Sequence, residues 1–274
     1  MTKRQANRTA VLIGLSPLFY IVPGMQAKAL GGAAWLGCLA ALPPLAGLGM
    51  LLGRRTPRTP GRLVSALIAP VLAAAAIALL HGCAVRYYTA VGVFRSPLPY
   101  AALLLITAVP TALSRKKALA RASEVLLPLV LTLLAVTLAC AAKQVRPARL
   151  IDLTAVSVTG VAQAALPILA VGAAALILPR LFTQAQPDAG AGTALGATAA
   201  LVCMATVGAL GGPMAARLEF PVFTLTRNLS LLHTVERLDG LMAAVWLLPD
   251  VTALALLLRA CGDCALRALG RASE

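Results

Sequence analysis

The chain has 274 residues, of which 60% are hydrophobic and only 12% charged, and its formal net charge is +15. An average soluble domain is roughly 45–50% apolar and about 25% charged, so this composition excludes a single water-soluble core and makes the bilayer the solvent. The basic surplus does not mark a nucleic-acid binder: Lys and Arg fall in short clusters between apolar runs, without the interleaved aromatics that stack bases, and their natural partner is the anionic lipid headgroup.

Apolar runs punctuated by Lys/Arg or Pro/Gly predict eight membrane-spanning helices, at about 10–27, 32–53, 63–92, 97–114, 124–142, 159–181, 193–213 and 239–260. No strand-like alternation competes with them, as a β-barrel would require. The expectation is an all-α polytopic protein with one integral membrane domain over residues 1–274. The first run imitates a signal peptide, with Lys3, Arg4 and Arg8 ahead of it and Ala27-Lys28-Ala29 after it. Gly14, Ser16, Pro17, Pro23 and Gly24 interrupt its apolar stretch, however, and seven further runs follow, so it is read as an uncleaved span.

Two runs look like broken helices. The first carries Gly14, Ser16 and Pro17 at its middle; the sixth carries Gly160 early and Pro167 within it. Proline removes an amide donor and frees a carbonyl, and interruptions at matching places in two halves of a transporter point to a substrate site. Proline also kinks ordinary membrane helices, and the chain has 18 of them. With a cytoplasmic N-terminus, 15 of the 24 Lys and Arg residues fall on the cytoplasmic side and 9 on the other, which predicts both termini inside.

Few polar residues lie within the runs. Asp250 is an acid well inside the last one, where a carboxylate costs about 2.5–3.5 kcal/mol on insertion scales, so it calls for a partner or a wet cavity. Arg86 with Tyr87 and Tyr88 closes the third run; it either anchors a ligand carboxylate at the outer mouth or snorkels to the headgroups. His81, a turn or so deeper, is a packed residue or a proton relay. Gln163 either bonds within the bundle or reads a polar ligand. Glu236, Arg237 and Asp239 precede the last run, where they pair locally and cap its start or meet a partner subunit.

Cys38, Cys83, Cys140 and Cys203 sit in apolar runs and read as small hydrophobes. Cys261 and Cys264 form one C-x-x-C that lacks the second pair or the histidines a metal would need, so no metal or cofactor is expected. No catalytic motif is present, and no enzymatic activity is expected.

The stretch Phe220 to Asp250 mixes polar chemistry with membrane hydrophobicity: an aromatic-Pro pair, then Arg227, His233, Glu236, Arg237 and Asp239, then an apolar run with Trp246 and Asp250. That order resembles the permease-like B subunits of bacterial spore germinant receptors (GerAB-like proteins). Ala34-Trp35-Leu36 is similar to the start of their second helix, and Arg86-Tyr87-Tyr88 with Pro97-Leu98-Pro99 to their helix 3–4 junction. Ala120-Arg121-Ala122-Ser123-Glu124 before Leu126-Leu127-Pro128 looks like the start of the fifth.

The resemblance implies an amino acid–polyamine–organocation fold of LeuT type, with two inverted five-helix repeats and broken first and sixth helices. On that pattern the first repeat covers about 10–142 and an incomplete second about 159–260. The expected chain is truncated after helix eight, and Gly172-Ala173-Ala174 stands where many relatives have Gly-Glu. The resemblance also implies a place in the spore inner membrane beside an A-type scaffold and a C-type lipoprotein. A small nutrient germinant, often an amino acid, would bind around Gly14, Ser16, Pro17, Gly160, Gln163 and Pro167. A small amino-acid permease and a non-binding assembly subunit are the alternative expectations.

Overall fold

A computed structural model describes residues 2–54, 60–114, 116–151, 156–183, 187–229 and 239–270. Among them there is no strand. The helices are α1 (Lys3–Leu30), α2 (Trp35–Arg54), α3 (Arg62–Val91), α4 (Leu98–Leu113), α5 (Lys116–Ala142), α6 (Val158–Thr183), α7 (Ala189–Leu210), the short α8 (Gly212–Arg217) and α9 (Pro221–Arg227), and α10 (Asp239–Ala268). Each of the eight apolar runs falls on one helix, and the short α8 and α9 follow α7. By length and composition α2, α3, α5, α6 and α7 can each cross a membrane, and the bent α1 makes a sixth. The apolar α4 has 16 residues.

Large apolar side chains cover the outside as well as the inside. Leu63 is 83% exposed, Leu67 73% and Ile106 67%, on helices whose opposite faces are packed in the core. In water this surface would drive aggregation; against lipid it is the expected exterior, with the small and polar residues turned toward other helices.

Local chemistry sets the helix ends. Thr2 and Gln5 form a reciprocal capping box on α1, Thr2 Oγ1 accepting from the Gln5 amide at 3.3 Å and Gln5 Oε1 from the Thr2 amide at 2.9 Å. Asp188 caps α7 through the Gly190 amide at 2.9 Å. Gly92, at φ 64°, ends α3 in the left-handed conformation with its amide on the Tyr88 carbonyl.

The helices alternate in direction. Asn7 near the start of α1 exchanges hydrogen bonds with Asp188 ahead of α7, at 2.7 and 2.9 Å, and Asp188 also lies against Gly49 near the end of α2. Thr9 meets Ser123 of α5 at 2.7 Å, and Cys261 of α10 reaches the Ala69 carbonyl of α3. Arg259 of α10 donates to the Ala112 and Ser114 carbonyls at the end of α4, at 2.9 and 2.5 Å, a cation on the negative end of a helix. Lys3, Arg8, Arg54, Arg62 and Arg267 thus share one end of the bundle; Lys28, Lys143, Arg149 and Arg217 share the other.

The most extensive helix contacts join α2 to α7, α3 to α10 and α1 to α6. In the α2–α7 seam a Cβ at Gly192 would collide with the Leu45 carbonyl, and Gly196 lies against the Leu42 backbone. Glycine is required there because the two backbones approach within its own thickness.

The breaks differ from the sequence expectation. α1 bends by 54° between Lys3–Phe19 and Val22–Ala33, where Pro23 cannot donate to the Phe19 carbonyl one turn back. It stays helical through Gly14, Ser16 and Pro17. α6 runs unbroken past Gly160 and Pro167 from Val158 to Thr183, because a proline within an apolar helix costs one hydrogen bond that packing against neighbours can offset.

Candidate functional site

One polar cluster lies at the heart of the bundle, and it draws on three helices. Arg86 of α3 and Asp250 of α10 form an ion pair with 1% side-chain exposure on each side, Arg86 Nη2 donating to Asp250 Oδ2. Tyr87 donates its hydroxyl to the same Oδ2 at 2.8 Å. Ser16 of α1 donates to Oδ1 at 2.5 Å. The carboxylate is therefore met by one cation and two hydroxyls, the company a charge needs to survive in low dielectric. Arg86 Nη2 also touches Cys83 Sγ at 3.5 Å.

Aromatic rings wall this cluster. Phe19 and Trp246 stack with centroids 5.1 Å apart and planes 2° from parallel. Phe223 of α9 meets Trp246 edge-on at 4.6 Å and lies 5.9 Å from the Arg86 guanidinium, which is also 5.1 Å from the Tyr87 ring. Trp246 precedes Asp250 by four residues and so shares its face of α10; Phe19 follows Ser16 by three on α1. Helical spacing thus delivers the polar and the aromatic layers together, stacked one turn apart.

Two apolar clefts, each partly open to the outside of the bundle, lie along α3 and α10 on either side of the cluster. One, of about 380 Å³, lies between α3, α4 and α10 and is lined by Tyr87, Tyr100, Leu104, Ala243 and Leu247. The other, of about 740 Å³, lies between α1, α3, α6 and α10, bounded among others by Pro17, Leu79, His81, Gly82, Ala175 and Ala253. On α10 the first borders residues 243–247, the second 253–257, and Asp250 falls between.

The six residues expected to form a pocket on α1 and α6 do not converge. Gly14 packs against α6 and α7, where an added Cβ would lie 2.5 Å from Leu195 and 3.2 Å from Ala175. Gly160 faces Leu30 at the other end of α1, Gln163 is exposed and Pro167 half-buried. The physical reason is direction: α1 and α6 are antiparallel, with Gln26 donating to the Ala164 carbonyl, so positions early in both helices lie at opposite ends of the pair. Of the six, Ser16 joins the polar cluster and Pro17 lines the larger cavity.

Arg86 is an inner residue rather than one at the outer mouth. Tyr88, its neighbour, is 37% exposed and turns outward. Arg227 donates to the Ala90 carbonyl at 3.1 Å, bracing the last turn of α3. Glu236 and Arg237 lie outside the described residues, and Asp239 is described only as the first residue of α10. Phe19 and Phe223 belong to the site without having been singled out from sequence, and Cys83, read from sequence as a small hydrophobe, touches Arg86.

The cluster has a clear chemical capacity. It holds one positive and one negative group, both shielded, with two hydroxyl donors and π faces nearby. Compared with known proteins, the chain matches no family model and no curated protein.

Proposed function

We propose that this chain is the permease-like subunit of a spore germinant receptor, a membrane protein that binds a small nutrient and leaves it chemically unchanged. The observation that carries the reading is the Arg86–Asp250 pair, held with Ser16 and Tyr87 inside an apolar bundle. Ionisable groups at such depth are costly, and membrane proteins keep them chiefly where solutes bind or pass. The order of residues from Phe220 through Trp246 to Asp250, which resembles GerAB-like subunits, supplies the class.

In this reading α1 to α7 and α10 are eight spans of a LeuT-type bundle, and the start of α1 and the end of α10 face the cytoplasm. The pairing of α1 with α6, α2 with α7 and α3 with α10 supports it. Numbered as spans these are one with six, two with seven and three with eight, each helix packed on its counterpart in the other repeat. The clustering of Lys3, Arg8, Arg54, Arg62 and Arg267 at one end supports the orientation. The bilayer is the spore inner membrane, and the protein partners are an A-type scaffold and a C-type lipoprotein. Binding signals because the ligand favours one arrangement of the helices over another.

The test is deletion of the gene in its native host, with spore germination scored against amino acids, sugars and nucleosides. Loss of response to one nutrient class with normal spore formation is the expected result. An unchanged response, together with uptake of a labelled amino acid by proteoliposomes of the chain alone, assigns a permease instead; an unchanged response without binding or uptake leaves an assembly role.

A further inference from the structure

The larger cleft, of about 740 Å³ between α1, α3, α6 and α10, is shaped for an apolar chain. It opens sideways from the bundle, where Val71 of α3 is 66% exposed and Ile177 of α6 42%. Its walls are aliphatic, and His81 is the single polar side chain among the residues that line it. A buried water typically makes about three hydrogen bonds, and this lining offers water almost none. In a bilayer the opening faces hydrocarbon, which packs against such walls at no cost in hydrogen bonds. The length of the cleft narrows the occupant further. On α6 the lining runs inward from Leu181, near the helix end at Thr183, to Val171. That is about 15 Å, the depth of one leaflet of a hydrocarbon core ~30 Å thick. On α3 it runs from Ile68 to Gly82 and stops short of the helix end at Val91. A membrane-spanning helix of another chain would need a groove through both leaflets; an acyl chain needs one.

The end at which the cleft begins is basic. Arg62 is exposed at the start of α3, six residues and about 9 Å of helix before Ile68. Its guanidinium lies against Gly270, just past the last turn of α10, which carries Arg267. Neither guanidinium makes a hydrogen bond or an ion pair with another described residue. Arg180 stands beside Leu181 on the facing wall. The described acids at this end are already engaged: Asp188 with Lys3 and Asn7, Asp263 with Arg259, and Glu124 with Gln5. An anionic headgroup at this level therefore meets cations with donors to spare, about one headgroup's reach from the mouth of the cleft.

We propose that this cleft is a binding site for one anionic phospholipid, with an acyl chain between α3 and α6 and the phosphate on Arg62. The site depends only on the bilayer environment, and it stands whether the chain is a receptor subunit, a permease or an assembly subunit. It ties four helices to a single lipid molecule, so that lipid holds α3 and α6 at their present separation.

The test uses the full chain, delipidated in dodecyl maltoside, with bound lipid read by native mass spectrometry and by thermal shift. The probes are dioleoyl phosphatidylglycerol, dioleoyl phosphatidylcholine with the same chains, and glycerol phosphate, an anionic headgroup without chains. Phosphatidylglycerol should bind at least tenfold more tightly than phosphatidylcholine, and glycerol phosphate should not displace it. Ala78→Phe puts a ring into the cleft and should weaken phosphatidylglycerol binding at least tenfold. Val125→Phe, on the exposed face of α5 outside the cleft, should leave it unchanged. Arg62→Gln should remove most of the preference for the anionic lipid. Should Ala78→Phe fail to fold, Ala174→Leu on the facing wall replaces it, with the same expectation. Equal binding of the two lipids, displacement by glycerol phosphate, or phosphatidylglycerol binding that survives the cleft variants overturns the site. A chain that cross-links as a dimer in wild type but not in Ala78→Phe, with lipid binding unchanged, overturns it in favour of a second copy seated in the cleft.

Discussion

Arg86 and Asp250 face each other across the α3–α10 seam with their side chains sealed from solvent, and Ser16 and Tyr87 complete the carboxylate's shell. No other charged pair among the described residues is so deeply placed; Lys3–Asp188 and Arg259–Asp263 lie nearer the bundle ends and are partly exposed. Such a pair contributes little net stability, since desolvation offsets attraction, yet the loss of one partner strands the other.

The first prediction follows from that asymmetry. Asp250→Ala and Arg86→Ala should each destabilise the chain by about 3–5 kcal/mol, whereas Arg86→Met/Asp250→Leu should be near neutral or stabilising. Equilibrium unfolding in mixed micelles measures this. A double variant that loses as much as the two single ones combined would contradict the pairing.

Tyr87→Phe and Ser16→Ala each remove one donor to an ionised acceptor and should cost about 1.5–3 kcal/mol. In the Asp250→Ala background both costs should shrink, because the acceptor has gone. A double-mutant cycle for each pair gives the coupling directly, and independent, additive effects would place these hydroxyls outside the carboxylate's shell.

Glycine substitutions separate the seam from the surface. Gly192→Val drives a side chain into the Leu45 carbonyl and should lower thermal stability sharply, by at least the 1–3 kcal/mol typical of overpacking. Gly47, on the same α2 helix, has nothing within 4 Å of an added Cβ, so Gly47→Ala should gain up to about 1 kcal/mol from helix propensity. Similar effects at both positions would argue against the close α2–α7 approach.

Single cysteines in a cysteine-free background test the alternation of helices. Positions 4, 62 and 268 should react with a membrane-impermeant thiol reagent from one side of sealed vesicles, and positions 148 and 217 from the other. Reaction of 4 and 268 from opposite sides would remove one crossing from the scheme.

Much of this fold was legible in sequence. Apolar runs cut by Arg54, Gly92 and Arg180 gave the apolar part of each long helix, because in lipid the backbone must satisfy itself and helix is the economical way; α1 and α5 begin, and α10 ends, seven or eight residues beyond the runs, where basic residues continue the helix. The bend was harder. Gly14, Ser16 and Pro17 offered a crowded break signal, yet the bend follows Phe19, one turn before Pro23, since proline acts on the carbonyl four residues back. The site was half legible: Asp250, as a carboxylate deep in an apolar run, required a partner, and Arg86 was a basic residue inside the end of a run with two tyrosines beside it. Joining them needed only the rule that buried charges pair, but reading Arg86 as interfacial hid it. Phe19 and Phe223 could not be placed from sequence, because nothing in their spacing says that α1 and α9 meet over Trp246.

The most direct measurement is complementation of the deletion strain with wild type and with Asp250→Asn, after immunoblotting confirms equal amounts in spore membranes. Asparagine keeps the shape of Asp250 while removing its charge. Germination on the nutrient class whose response the deletion removes should return with wild type and remain at least tenfold slower with Asp250→Asn. Full rescue by Asp250→Asn would contradict the assignment of this buried pair as the nutrient site.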